Sequence, residues 1–539
     1  MSFTSFNFFA FLFAVIVVYY IVPKKLQWLV LLVASYGFYL STGTDNLAFI
    51  LFTTVFTYCG GLVMQKIRDN NRKALKALGD DATREQKREM KKVVAQKVRY
   101  VQVITVLVNL GVLVFIKASG FFITNINELF GMFHWDMTIP MVNVIAPLGL
   151  SYYTFNSIGY LVDIGRGKHD AERHFGKFAL FVSFFPSIVQ GPLFRFIDVG
   201  QQLQAEHKLD YNNLKFGAQL ILWGAFKKLV IADRVSAIAV AIFSSDFVAG
   251  DFNGAQVLFG VLAYSFQIYC DFSGGTDITR GVAQMMGIEL PVNFEQPFFA
   301  TSMADFWRRW HMSLGAWMRE FVFFPVMLSK GVTTLSKKAR VKFGNNAGKI
   351  VPSVAAPMVV FFLIGIWHGI TSQYIVNGLY NAILISSTVA LTPAYKRLGE
   401  LLRVNVESFS FRLFQMWRTF SLLCISRIIV KAPSLRDAFR MIKRMLKIWE
   451  WDWDFILGLD GKIYTYGVDE KNMRLLFVAI LILLVVGILR EKGMKIRETI
   501  AKQGIIFRWG IVLVLLIFVL IFGVYGPAYD ASSFIYGRF

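Results

Sequence analysis

Long apolar runs separated by short polar connections make up most of this chain. Elements are predicted near residues 6–22, 26–42, 46–65, 100–118, 143–162, 176–194, 213–243, 255–272, 352–368, 369–391, 410–430, 472–489 and 509–526. Runs such as Leu475 to Leu489 and Ile511 to Val524 contain no charged residue, and the solvent that suits so many surfaces of this kind is lipid. The pattern predicts an all-α, polytopic membrane protein with about ten to twelve transmembrane helices. The first run, Phe6 to Val22, has neither a basic start nor a small-residue cleavage pattern, and is expected to be a retained anchor.

Charge sets the orientation. The chain carries a net charge of +22, which would suit nucleic acid if it were gathered on a soluble face. Instead, twelve Lys/Arg against five Asp/Glu lie between Lys66 and Arg99, with smaller basic clusters at Lys330 to Lys349 and Arg490 to Arg508. All three fall between apolar runs, the distribution of the positive-inside rule, so the expected partner is the anionic inner face of a bilayer and not nucleic acid. The reading is one integral membrane domain over residues 1–539 with a basic cytoplasmic loop at 66–99. The N-terminus and an acidic, tryptophan-rich loop at 449–470, with Trp449, Trp451 and Trp453 at headgroup level, are expected on the other side.

No polar stretch exceeds about 35 residues, short of the ~40 a chain without disulfides or metal usually needs to build its own core. Chemistry must therefore be done inside the membrane or at its edge. Cys59, Cys270 and Cys424 form no CxxC pair, so neither a disulfide framework nor a zinc site is expected, and they are read as buried packing residues. There is no GxSxG elbow and no GxxxxGK[ST] loop.

What lipid should have rejected gathers between Gln267 and His368: QIYCDFSGGTD with Asp271 and Asp277, then Arg280, LPVNFEQPF with Glu295, WRRWHMSLGAWMREF from Trp307 to Phe321, and FFLIGIWHGIT containing His368. Charges retained in such surroundings usually face a bundle interior or a water-filled cavity. In the tryptophan-rich segment, helical spacing predicts a stripe of Trp307, His311, Leu314 and Met318, with Asp305, Arg308, Arg309 and Arg319 on other faces, as in an interfacial or re-entrant helix. On residues alone His311 is either a hydrogen-bonded core residue of an anchor or a functional group. His368 follows an apolar wall and precedes Tyr374, Asn377 and Asn381, a polar stripe at helical spacing. Desolvation favours a neutral imidazole, which can take a proton from a hydroxyl while a group such as Asn377 fixes its tautomer; a structural role fits the same pattern.

The succession LGLSYYTFNSIGYLVD (Leu148 to Asp163), FFPSIVQGPLFRF (Phe184 to Phe196), YSFQIYCDFSGGTDITRGVAQMMGIELPVNFEQPF (Tyr264 to Phe298), DFWRRWHMSLGAWMREFVFFP (Asp305 to Pro325), GIWHG (Gly365 to Gly369) and SSFIYGRF (Ser532 to Phe539) resembles the membrane-bound O-acyltransferase (MBOAT) superfamily, and within it the alginate O-acetyltransferase membrane subunits. The resemblance implies a helical bundle around a membrane-crossing funnel, with further re-entrant or interfacial helices. His368 matches the family's catalytic histidine and His311 its second histidine. Trp307, Arg308, Arg309 and Asn377 are the candidates for holding the donor.

The implied activity is transfer of an acyl group, acetyl in this reading, from a cytoplasmic thioester to hydroxyls of an extracytoplasmic polysaccharide. The donor, acetyl-CoA or an acyl carrier protein thioester, is a substrate, with no tightly bound cofactor and no metal expected. An extracytoplasmic acetyltransferase partner and a bacterial plasma-membrane location are implied as well. The alternatives are D-alanyl transfer from a carrier protein to teichoic acid and, from another class, a lipid or glycan transporter.

Overall fold

A computed structural model describes residues 3–41, 43–78, 83–141 and 147–525. The C-terminal motif Ser532 to Phe539, residues 79–82 of the basic stretch and residues 143–146 of one predicted element lie outside the described residues. Among the described residues the regular elements are all helices.

Six helices are long and apolar enough to cross a bilayer: Asn46–Ala77, Arg84–Met132, Asn345–His368, Phe409–Lys431, Glu470–Glu491 and Ile505–Phe522. A seventh is Ser372–Ala390 with Thr392–Leu401, if this pair, bent by 62°, is one span. This is a multi-pass membrane protein. Several other predicted elements are helices shorter than a bilayer, such as Phe6–Ile21 and Phe175–Ile188, or are interrupted by polar groups that protein buries. Only 6% of the apolar window of Ile505–Phe522 is buried, so its side chains are turned outward, as a lipid-facing helix requires.

The chain folds as two compact units, residues 1–217 with 279–291, and 218–278 with 292–539. In the first, Asp45–Ala77 packs on Arg84–Met132 and Leu150–Arg166. Gly60 permits the first approach, since a Cβ there would sit 2.7 Å from the Thr105 side chain, and Asn109 Nδ2 donates to Thr57 Oγ1 beside it at 3.2 Å. The basic stretch is not a loop: Lys66 to Ala77 and Arg84 to Arg99 prolong these two helices, the second opened by a capping box of Thr83 and Gln86. Two of the segments quoted above, Leu148 to Asp163 and Phe184 to Phe196, meet through charge, as Arg195 Nη2 lies 2.7 Å from Asp163 Oδ2, whose side chain is 1% exposed.

The second unit has as its centre the Gly254–Met285 helix, whose residues up to 278 belong here, packed with Asp233–Ile242, Phe409–Lys431, Leu435–Leu446 and Glu470–Glu491. A π-helical segment, Phe226–Ala232, buries two consecutive lysines. Lys227 Nζ reaches Asp277 at 2.7 Å and Ser273 at 2.9 Å, and Lys228 Nζ reaches Asp271 at 2.6 Å and Asp233 at 2.7 Å. Here Asp271 and Asp277 find the protein interior that their retention requires. Cys270 and Cys424 are buried, as expected, but Cys59 is exposed. It lies on an outward face of the Asp45–Ala77 helix, where a side chain can stay apolar by facing lipid.

Candidate active site

The tryptophan-rich segment is two helices, and the predicted single stripe is corrected. Met303–Arg309 begins at Ser302, whose hydroxyl accepts from the Asp305 N–H, and ends at Trp310, which is extended. His311 then takes the left-handed conformation at φ 44°, ψ 53°, and Met312–Met318 follows. The cause of the break is the NFEQ segment alongside. Asn293 O accepts from Met312 N at 2.9 Å, and Arg309 O accepts from Glu295 N at 3.0 Å, replacing bonds a continuous helix would have made internally.

The break separates the residues. Trp307 and Trp310 line a cavity of about 100 Å³, whereas His311 is turned into protein, 7% exposed, with its ring edge-on to Phe272 at 4.7 Å. Asn293 Oδ1 accepts from Ser313 N at 3.1 Å and from Ser313 Oγ at 2.9 Å, so the His311 Nδ1 lying 3.2 Å from the same oxygen carries the proton. The lone pair is then on Nε2. His311 belongs to no candidate span, and burial, with mutual repulsion between the His311 and His368 cationic forms as the smaller cause, pushes its pKa down to about 3. It is a neutral imidazole of fixed tautomer.

His368 sits where the cavity meets the last turn of Asn345–His368. Its ring lies 4.5 Å from that of Trp367 and 6.1 Å from the nearly parallel ring of Tyr374. The following helix, Ser372–Ala390, packs against it through two glycines. A Cβ on Gly365 would meet Tyr374 O at 2.6 Å, and one on Gly378 would meet Phe361 O at 2.5 Å. The cavity walls are otherwise aromatic and aliphatic, among them Tyr264, Phe306, Phe361 and Leu423.

One side of the cavity is a polar ladder. Trp307 Nε1 donates to Asn381 Oδ1 at 3.2 Å, Asn381 Nδ2 donates to Asn377 Oδ1 at 3.2 Å, and Ser426 Oγ donates to the same oxygen at 2.6 Å. His368, Trp307 and Asn377 are thus brought together. Arg308 and Arg309 are not among the residues that line the cavity. Arg308 pairs with Asp305 at 2.8 Å with its side chain 69% exposed, and Arg309 bridges Asp305 at 3.1 Å and Glu491 at 2.7 Å. Ser426 and Arg427, which also line the cavity, were missed in the sequence. The signal was there: a Ser-Arg pair inside the apolar run FSLLCISRIIV. Among the described residues no group of three or more His, Cys, Asp or Glu is placed to hold a metal.

This is a small, apolar-walled chamber with one histidine at its edge and hydrogen-bonding groups along one side, suited to proton transfer at a hydroxyl. Residues 168–338 match MBOAT, the membrane-bound O-acyltransferase family. The chain is 30% identical over 455 residues to a probable alginate O-acetylase AlgI of Pseudomonas syringae pv. tomato, covering 84% of this chain and 76% of that protein. It is 28% identical over 371 residues to a peptidoglycan O-acetyltransferase of Helicobacter pylori, covering 64% of each. It is also 31% identical over 249 residues to a teichoic acid D-alanyltransferase of Bacillus subtilis, covering 46% of this chain and 60% of that one. The chain belongs to the membrane-bound O-acyltransferase family, and it is an acyltransferase.

Proposed function

We propose that this acyltransferase takes a short acyl group, acetyl, from a cytoplasmic thioester and delivers it toward hydroxyls of an extracytoplasmic polysaccharide, with His368 as the general base. The observation that carries the reading is the position of His368 on a cavity of about 100 Å³. That volume is well below the ~300–1,000 Å³ of ordinary small-molecule pockets, and it suits a two- or three-carbon acyl group better than a fatty chain. The Trp307–Asn381–Asn377–Ser426 ladder orients groups beside the histidine without competing for its proton. Acetyl-CoA is the proposed donor, with an acyl carrier thioester as the alternative. An extracytoplasmic acetyltransferase is the proposed partner, and the basic helix ends face the cytoplasm, leaving the N-terminus outside.

Transfer of D-alanine is the second reading, supported by the likeness to the Bacillus subtilis D-alanyltransferase. The experiment is acyl transfer by the purified protein in vesicles, offered radiolabelled acetyl-CoA and an aminoacyl carrier in parallel. His368→Gln keeps much of the volume and hydrogen bonding but cannot serve as the base, and is expected to lower transfer by ~10² to 10⁴-fold at normal yield. Near wild-type transfer by that variant would remove His368 from the chemistry. Transfer from the aminoacyl carrier alone would replace acetyl with alanyl.

A further inference from the structure

The span Phe409–Lys431 is followed, after three residues, by a second helix, Leu435–Leu446. Three residues of chain reach at most ~11 Å, so this helix starts at the membrane edge. Ser434 opens it, its hydroxyl accepting from the Asp437 N–H at 3.1 Å. Around its circumference four surfaces follow one another. Ala438, Met441 and Met445 are buried in the core of the second unit. Next come Leu435, Phe439, Ile442 and Leu446, an apolar stripe on which Phe439 and Leu446 are each 58% exposed. Beside it lie Arg436 and Lys443, both exposed and in no ion pair among the described residues. The remaining side holds Arg440 and Arg444, which are tied to protein: Arg440 Nη1 donates to Val248 O at 2.7 Å, and Arg444 lies 3.6 Å from Asp251 and 3.5 Å from Glu450.

We propose that Leu435–Leu446 is a phospholipid-docking helix, lying flat in the membrane interface with its apolar stripe among acyl chains and with Arg436 and Lys443 on anionic headgroup phosphates. The order of the surfaces carries the assignment. Around the helix from its core side come an apolar, then a cationic, then a paired polar surface, the same order as acyl chain, phosphate and water through a leaflet. A protein partner would require no such gradient. An acidic glycan would complement the cations yet leave the exposed Phe439 and Leu446 in water, where apolar surface is unfavourable. The stems of Arg436 and Lys443 can lie along the apolar stripe while their charged heads reach phosphate. Beyond the helix, Ile448, Trp449 and Trp453 are exposed as well, and tryptophan suits headgroup level. The preceding span carries Ser426 of the polar ladder and Val430 of the cavity wall. Docking this helix on lipid therefore fixes the depth of that end of the cavity in the bilayer.

The test uses the full-length protein in vesicles of phosphatidylcholine and phosphatidylglycerol, in a Cys59→Ser background, with bimane on Phe439→Cys or, should that variant fold poorly, on Leu446→Cys. The control is bimane on Asp251→Cys, a side chain 94% exposed beside Arg444. The bimane at 439 should be quenched by lipids spin-labelled on the acyl chain and little by iodide supplied on both sides of the membrane, and the bimane at 251 the reverse. Spin-labelled phosphatidylglycerol should quench at 439 at a content at least about fivefold lower than spin-labelled phosphatidylcholine. Replacing both cations, Arg436→Gln with Lys443→Gln, should remove that preference and leave quenching by the acyl chains in place. Iodide quenching at 439 equal to that at 251 would show that the stripe faces water; the surface would then belong to a soluble protein or glycan, and the proposal would be overturned. Equal quenching by the two lipids with both cations present, or a preference that survives their replacement, overturns it as well.

Discussion

His311 Nδ1 lies 3.2 Å from Asn293 Oδ1, an oxygen that also takes the backbone N–H and the hydroxyl of Ser313. Three donors on one buried acceptor fix the imidazole in a single tautomer and hold the left-handed turn at residue 311 in place. Removing that acceptor leaves three buried donors to find new partners, at about 1–3 kcal/mol each where none is found. Asn293→Ala should therefore lower the thermal midpoint of the purified protein sharply and reduce transfer, while Asn293→Asp, which keeps the acceptor, should fold better than the alanine variant. Equal stability of the two variants would show that the acceptor role is unimportant.

The same burial gives a pH signature. His311 titrates at its ordinary 6.5 when unfolded and is held down to about 3 in the folded protein. Between those values the unfolded chain binds a proton that the folded protein does not, so stability rises with pH there and is lost on acidification from pH 6.5 toward 3. His311→Gln cannot contribute this slope. The fall in thermal midpoint from pH 7.5 to pH 5 should be smaller in His311→Gln than in wild type, and identical falls would contradict the buried, neutral assignment.

Lys228 holds two carboxylates, Asp271 at 2.6 Å and Asp233 at 2.7 Å, with its side chain only 3% exposed. Lys228→Met would leave both acids buried around an apolar chain, and breaking a buried pair from one side costs about 3–5 kcal/mol. Asp233→Asn leaves Lys228 its bond to Asp271 and a polar neighbour. The expected order of stability in detergent is wild type, then Asp233→Asn, then Lys228→Met. A Lys228→Met midpoint equal to that of Asp233→Asn would mean that the network is not centred on Lys228.

Much of this arrangement was legible in the sequence because lipid imposes simple rules. Charge-free runs marked the spans, and His368 announced itself as a polar group after the apolar wall Val359 to Trp367. Asn377 stood beside it through the polar stripe that follows at helical spacing, and Trp307 was legible only as a candidate for holding the donor. The break at Trp310 and His311 was invisible, because its cause is backbone pairing with Asn293 and Glu295, far enough along the chain to lie outside any helical window. Arg309 is a donor-holding candidate in the sequence, which cannot show that Glu491, 182 residues away, stands against it. Arg427 was passed over inside a run scored for hydrophobicity, although one arginine in a span is a stronger signal than the apolar residues around it.

Orientation can be checked with cysteines in a Cys59→Ser background, since Cys270 and Cys424 are already buried. Lys91 is exposed on the helical extension of the basic stretch, and Leu459 is 72% exposed in the acidic segment 449–470. If basic segments are retained in the cytoplasm, Leu459→Cys should react with an impermeant maleimide in intact cells, and Lys91→Cys only after permeabilisation. The reverse pattern would invert the assigned topology.

The placement of His368 depends on two residues that have no side chain. Gly365 lies one helical turn before His368 on the span that ends there, and Gly378 faces it from Ser372–Ala390; a Cβ on Gly365 would come within 3.5 Å of Gly378 Cα and 2.6 Å of Tyr374 O. The obstructing atom in each case is backbone, which cannot rotate aside as a side chain can. Relief requires the two helices to part, and parting them shifts His368 relative to Asn377, which is carried on the other helix. Overpacking of this kind typically costs ~1–3 kcal/mol, and a displacement near 1 Å at a reacting group can cost about 10²-fold in rate. Gly365→Ala and Gly378→Ala should therefore each lose transfer by more than their modest loss of stability explains. Because both relieve the same contact, the double variant should fall short of the sum of the two effects. Gly399→Ala is the control: that glycine lies in a helix with nothing within 4 Å of the added methyl, and the substitution should be neutral or slightly stabilising. Wild-type transfer by Gly365→Ala would show that the helices can separate without moving the histidine, and the close approach would then have no part in the chemistry.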